Sequence, residues 1–273
     1  MRWASSALLA LASCNQIFGN ADVSRGDAAF FDAHLDAPTS CAPVPAFSRG
    51  FVQVVAQNCI SYTLSTTSQR AAALCLGAGN TQTIEVGDVG HELTSDPALS
   101  VTVSSGVNGV RISSDGERLT VGTLDTVDPP GRIALFHRAA GTWVRDADIA
   151  TSAVHFHSVS EITTGPHPHV LVAYDSNDVR ELVEQDDGTW LEVGRDRIVV
   201  AQTYGVHLSG DGLRTWSAVP EGFALYTRPD TDSAFTDAGV IGGTNGIKDL
   251  YLTDDCGAVY FSTLESIWAA PRR

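Results

Sequence analysis

The chain has 273 residues, 43% hydrophobic and 18% charged, which is enough apolar content to bury a core and excludes a disordered chain. Seventeen Lys and Arg against 32 Asp and Glu leave a net charge of −15, which excludes a nucleic-acid backbone or an anionic lipid surface as partner. Twenty-five Gly and eleven Pro with one Met favour short strands joined by turns over helices.

The chain opens with Arg2, a short apolar stretch and small residues ending at Cys14, the outline of a secretory signal. Leu11-Ala12-Ser13-Cys14 resembles a bacterial lipobox, a branched apolar residue and two small ones before the cysteine to be lipidated. The resemblance implies that Cys14 is acylated, becomes the new N-terminus and anchors the protein in the cell envelope, at the periplasmic or surface face of the outer membrane. No other segment of the sequence approaches the ~18 apolar residues of a membrane span. Residues 1–13 are thus expected to be the signal. Residues 14–39, rich in Asp, Ala, Gly and Ser, read as a flexible acidic tether, about 80 Å if fully extended. The remainder, residues 40–273, is expected to be one domain.

That remainder carries a degenerate internal repeat. Val110-Arg111-Ile112-Ser113-Ser114-Asp115-Gly116 is matched by Val206-His207-Leu208-Ser209-Gly210-Asp211-Gly212, and each is a strand followed by an Asp-Gly turn and a second strand. Leu250-Tyr251-Leu252-Thr253 starts a third copy, and Val154-His155-Phe156-His157 one with a longer turn. A third strand follows each hairpin, at Ile133, Val179, Phe223 and Ile267. A fourth follows the first three, at Gly141-Thr142-Trp143-Val144, Gly188-Thr189-Trp190-Leu191 and Ala234-Phe235-Thr236. An earlier copy takes Phe51 to Gln57, Cys59 to Leu64, Ala71 to Leu76 and Thr81 to Val86 as its strands. Four strands per period of about 45 residues predict an all-β propeller of four-stranded antiparallel blades.

Ser113-Ser114-Asp115-Gly116 and Ser209-Gly210-Asp211-Gly212, each before an apolar strand, resemble the Ser-Pro-Asp-Gly hairpins of TolB-like β-propellers, although Pro is missing from every copy. The resemblance implies the fold and is nearly silent about activity. Ser209 to Trp216 is also similar to the Asp-box turn of sialidase-type propellers, with Leu213 where that pattern has Gly; even an intact box is a structural turn.

The last copy ends after three strands, so the ring is expected to close with an N-terminal strand, Ala46-Phe47-Ser48, supplying the missing outer one. Five blades result; six are the alternative, because the stretch from Gly90 to Gly106, with Leu93 and Leu99, could hold an inserted hairpin. Once Cys14 is lipidated, four cysteines remain, an even number that points to disulfides in an exported protein. Of the three connectivities, the blade layout favours Cys59 with Cys75 across antiparallel strands and Cys41 with Cys256 at one rim.

No Gly-x-Ser-x-Gly elbow, His-Glu-x-x-His helix, phosphate-cradling Gly loop or Cys-x-x-Cys pair is present, and no catalytic residue or cofactor is assigned. His155, His157, His167 and His169 alternate on two short stretches and form a weak candidate imidazole site for zinc or copper. Asp186-Asp187-Gly188 and Asp254-Asp255 could hold calcium, although turns explain them. Arg111, His155, His207 and Tyr251 occupy equivalent repeat positions on innermost strands and could line one mouth of a central channel. The expected function is a monomeric, lipid-anchored binding or scaffold module for a protein, peptide or glycan. The alternatives are a hydrolase at the channel mouth and a histidine-based metal carrier. A convergent buried cluster of Asp, Glu, His and Arg would favour the enzyme.

Overall fold

The computed structural model describes residues 53–65, 67–76, 82–89, 91, 93–99, 107–123, 132–146, 148–150, 156–174, 179–193, 205–219, 222–242, 249–254, 256–262 and 266–271. The signal, Cys14, the tether, Cys41 and His155 lie outside these residues.

Strand β1 (Gln53–Gln57) comes first in the chain and last in the ring. Blade 1 is β2 (Cys59–Ser65), β3 (Arg70–Leu76), β4 (Gln82–Asp88) and β5 (Thr94–Ser95). Blade 2 is β6 (Val107–Ile112), β7 (Arg118–Thr123) and β8 (Arg132–Ala139), with β9 (Thr142–Arg145) and β10 (Ile149–Ala150) sharing the outer edge of β8. Blade 3 is β11 (Phe156–Val159), β12 (His169–Tyr174), β13 (Val179–Glu184) and β14 (Trp190–Val193). Blade 4 is β15 (Val206–Leu208), β16 (Arg214–Val219), β17 (Gly222–Thr227) and β18 (Thr236–Gly242). Blade 5 is β19 (Asp249–Leu252), β20 (Ala258–Ser262) and β21 (Ser266–Pro271), completed by β1, so the protein is a five-bladed β-propeller.

Two expectations are corrected here. The closing strand is β1, paired antiparallel with β21 through Gln53↔Ala269 and Gln57↔Ser266, and not the segment at Ala46-Phe47-Ser48. The strand expected at Phe51 to Gln57 therefore belongs to the last blade and not to the first. The chain changes blades at Asn58, whose φ of 58° ends one strand just before the next begins. The described residues form five blades: within the long stretch that the sequence leaves open to a sixth, residues 93–99 hold β5, the outer strand of blade 1, and a 3-10 turn at Pro97–Leu99 that plugs the fully buried Leu99 into the seam with blade 2.

The alternating apolar residues of each strand fill the seams between neighbouring blades. Ala72, Leu74 and Ile84 of blade 1 meet Val110, Ile112, Leu119 and Val121 of blade 2. Ile133 of blade 2 meets Val159, Val170 and Val172 of blade 3, and Leu171 and Ala173 meet Val206 and Leu208 of blade 4. Each buried Leu, Ile or Val contributes about 1.5–3 kcal/mol, so the ring is held by seams more than by any single core.

One turn design recurs between the first two strands of a blade. Ser113 N–H donates to Arg118 O at 2.9 Å, Gly116 N–H to Ser113 O at 2.9 Å, and Asp115 Oδ1 accepts from Glu117 N–H at 3.0 Å. Blade 4 repeats it with Ser209, Asp211 and Gly212. Gly116 (φ 73°) and Gly212 (φ 72°) take the left-handed backbone that a side chain disfavours. In blade 5 the same position is Cys256 (φ 56°), which is fully buried and disulfide-bonded, while its expected partner Cys41 lies outside the described residues. Cys59 and Cys75 stand opposite each other in the β2–β3 register and are joined by a disulfide, the pairing read from the sequence.

Candidate functional site

Two residues before the Ser or Thr that opens each turn stand Thr63, Arg111, Glu161, His207 and Tyr251, one per blade. They converge at the centre of the ring. Arg111 is 2%, Glu161 3% and His207 1% exposed, so three ionisable side chains are removed from water together. Such burial is costly unless every charge has a partner.

Each one has. His207 Nδ1 lies 2.9 Å from Glu161 Oε1 and its Nε2 lies 3.0 Å from Asp249 Oδ1. Two carboxylates can both accept only if both ring nitrogens carry hydrogen, so His207 is an imidazolium. Burial works against that charge, but Glu161 and Asp249 outweigh it and raise the pKa of His207. Arg111 clamps Asp249 with Nη2 at 3.2 Å from Oδ1 and Nη1 at 3.1 Å from Oδ2, and Nη1 also donates to Ser61 Oγ. Its Nε, 3.7 Å from Glu161 Oε1, makes no hydrogen bond. Glu161 completes its shell with Thr63 Oγ1 at 3.2 Å and Leu208 N–H at 3.0 Å. Burial opposes the ionisation of both carboxylates, yet His207, Arg111 and these donors hold Glu161 below, and Asp249 well below, the usual carboxylate range. Two cations and two anions cancel.

The aromatic wall behind His207 is equally ordered. Trp216 stacks on it at 5.4 Å with planes 4° apart, Tyr251 meets its edge at 5.8 Å, and the Tyr251 hydroxyl donates to Leu64 O at 2.7 Å. Asp249 keeps 12% of its side chain exposed, more than Arg111, Glu161 or His207. Beside it Gly205 leaves room: a Cβ there would stand 3.1 Å from Asp249 Oδ1.

Toward the turn end the tips approach one another. Thr164 N–H donates to Gly210 O at 3.2 Å, Gly210 N–H to Asp254 Oδ1 at 3.1 Å, and Ser65 Oγ to Ser114 O, joining blades 3, 4 and 5 and blades 1 and 2, and Ser114 stands against Gly210. Burial pushes Asp254 up to about 6, with repulsion from Asp211 and Glu161 adding to it and Gly210 N–H and Arg214 opposing.

The sequence placed Arg111, His207 and Tyr251 in one set, and the structure brings these three together. The fourth, His155, is outside the described residues, and the blade-3 member of the level is Glu161. Glu161 and Asp249 were missed. Counting back two residues from Thr163, whose N–H donates to His169 O at 3.0 Å as Ser113 does to Arg118 O, would have found Glu161. Among the histidines, His157 lies in β11, and His167 is 54% exposed with Nδ1 3.9 Å from Asp186 Oδ1. His169 Nδ1 is 2.7 Å from Glu181 Oε1, inside a buried network in which Arg228 grips both Glu181 oxygens at 2.8 and 3.0 Å. That carboxylate is also held below its usual range, burial opposing while His169 and Arg228 prevail. Asp187 Oδ1 accepts from Thr189 N–H and Oγ1, as a turn carboxylate does. The metal-like grouping among the described residues is Cys59, Cys75 and Glu85, whose two sulfurs are spent in the disulfide.

No family model matches the chain, and no curated protein matches it. Among solved structures it is similar to a gluconolactonase of Xanthomonas campestris, with 13% identity and a TM-score of 0.47 over 82% of this chain and 72% of that one. It is also similar to a functionally unknown protein of Desulfotomaculum acetoxidans, with 15% identity and a TM-score of 0.49 over 75% of this chain and 62% of that one. At these identities neither likeness carries an activity across.

Proposed function

We propose that this chain is an exported, lipid-anchored β-propeller that binds its ligand without transforming it. The observation that carries the reading is the double engagement of His207 by Glu161 and Asp249. A general base needs an open lone pair and a nucleophilic carboxylate needs an uncommitted oxygen facing substrate. An imidazolium locked between two anions, with Arg111 on the same carboxylates, offers neither. The lipobox ending at Cys14 supports the anchor, and no helix among the described residues is long and apolar enough to cross a membrane.

The competing reading, a hydrolase at the channel, draws on the convergence of Asp, Glu, His and Arg at one place. Incubating the purified mature chain with chromogenic esters, lactones and glycosides separates the two. Binding predicts no turnover above background. Turnover abolished by Glu161→Gln in a folded variant would overturn it. Labelled palmitate should enter the wild-type chain in cells and not the Cys14→Ala variant.

A further inference from the structure

The turn of blade 3 departs from the repeat. Thr163 to His169 is longer than Ser113 to Arg118, contains Pro166 and Pro168, and is drawn toward blade 4 by the bond from Thr164 N–H to Gly210 O. The seam behind it opens into a cleft of about 440 Å³ between blades 2 and 3. A second cleft of about 250 Å³ lies farther out along the same seam, and the two share Arg118, Glu184 and Gly188. Both pockets fall near or within the ~300–1,000 Å³ range of small-molecule sites.

The walls are anionic and polar, with one cation that is already paired. Arg118 Nη1 bonds Glu184 Oε2 at 2.7 Å, His137 Nδ1 lies 2.7 Å from Asp146 Oδ1, Asp115 Oδ1 accepts from Ser113 Oγ and Glu117 N–H, and Asp186 stands at the rim. An anionic ligand meets no surplus cation there, on a chain of net charge −15. A hydroxyl-bearing ligand fits, because every hydroxyl both donates and accepts, and each ion pair presents an acceptor beside a donor. The outer cleft adds the half-buried Trp190, backed by the buried Phe136 and Ile162, and the indole is a flat apolar surface of the kind the C–H face of a sugar ring covers.

We propose that the seam between blades 2 and 3 binds a neutral saccharide, a mono- or disaccharide whose hydroxyls bridge the Arg118–Glu184 pair and whose apolar face lies on Trp190. Pro166 and Pro168 hold the rim open before the ligand arrives, which lowers the ordering cost of binding. The site deepens the binding reading above and rests on it.

The test titrates the mature chain with glucose, cellobiose, N,N′-diacetylchitobiose and glucuronate by calorimetry. In parallel, thermal unfolding of Arg118→Met and of the surface variant His137→Ala checks that each folds. At least one neutral sugar should bind with Kd of about 1 mM or tighter. Glucuronate should bind more weakly than its neutral counterpart, glucose. Each variant should weaken binding tenfold or more while still unfolding cooperatively. Saturable binding that ignores both variants would overturn the cleft and leave the binding reading standing. No binding by any neutral sugar at tens of millimolar would also overturn the saccharide site. Release of cleaved or oxidised sugar would keep the cleft and overturn the binding reading.

Discussion

Removing His207 is the sharpest perturbation of the channel. In His207→Leu the carboxylates of Glu161 and Asp249 each lose a contact, of 2.9 and 3.0 Å, and Arg111 is left as one cation facing two buried anions. Breaking a buried charge network by deleting one partner costs about 3–5 kcal/mol, mostly as the penalty on the charge left behind. That origin makes the loss repairable: His207→Leu with Glu161→Gln removes the surplus anion, keeps an acceptor for Leu208 N–H, and should recover at least about 1–2 kcal/mol. Urea unfolding at pH 7 reads both changes. The pH dependence gives an independent check. Because the folded pKa of His207 is raised, its contribution is complete below about 6.5 and fades as pH climbs through the folded value. The gap between wild type and His207→Leu should therefore narrow at alkaline pH. A single variant within 1 kcal/mol of wild type, or a double variant no better than the single, would refute the charge-balance argument.

Three further outcomes follow from the turn end and the disulfide. Asp254→Asn should stabilise the protein by about 1–2 kcal/mol at pH 8, because a carboxyl pushed up to about 6 destabilises the fold wherever it must ionise. The gain should vanish below about pH 4, where the acid is protonated in both states, and thermal melts across pH check this. Gly210→Ala should cost about 1–3 kcal/mol in chemical unfolding, since its Cβ would overlap Ser114 and reach 3.2 Å from Asp254 Oδ2, and Ser114→Gly in the same chain should return most of it. Replacing both Cys59 and Cys75 by Ser should lower stability by about 3 kcal/mol for a closed loop with a separation of 16 residues, with non-reducing mass spectrometry confirming that the bond is gone.

The repeat was readable wherever a left-handed turn position is a glycine. Asp115-Gly116 and Asp211-Gly212 announced blades 2 and 4, and the strands around them fall where the alternation put them. Blade 1 was misaligned because Gln69 (φ 55°) takes the left-handed position in its first turn, so no Asp-Gly marks it, and β1 was read into it. In blade 3 the longer turn hides the register: the sequence pattern starts the copy at Val154, whereas β11 spans Phe156–Val159, and that shift puts His155 forward and conceals Glu161. Asp249 escaped because it precedes the apolar run of β19 and acts across the axis on Arg111 and His207, contacts set by ring closure and by no local pattern.

Closure itself can be tested, because backbone pairing of β1 with β21 joins distant parts of the chain. Strand β1 contributes four residue pairs to the edge of β21, from Gln53↔Ala269 to Gln57↔Ser266, with a bulge between Val54 and Ala56. In a Cys256→Ser background, which serves as the reference and removes the thiol the deletion would leave without its bond, deleting the chain through Gln57 should expose the β21 edge and uncouple blade 5 from blade 1, across which Tyr251 O–H reaches Leu64 O. With ladder bonds contributing about 0.5–1.5 kcal/mol each, the loss should be about 2–6 kcal/mol and the bare edge should drive self-association. A synthetic peptide of residues 51–58 should restore both the midpoint and the monomer, because strand addition uses main-chain hydrogen bonds that any correctly registered strand can make. A truncated chain that stays monomeric with an unchanged urea midpoint would mean that the seams hold the ring without the closing strand.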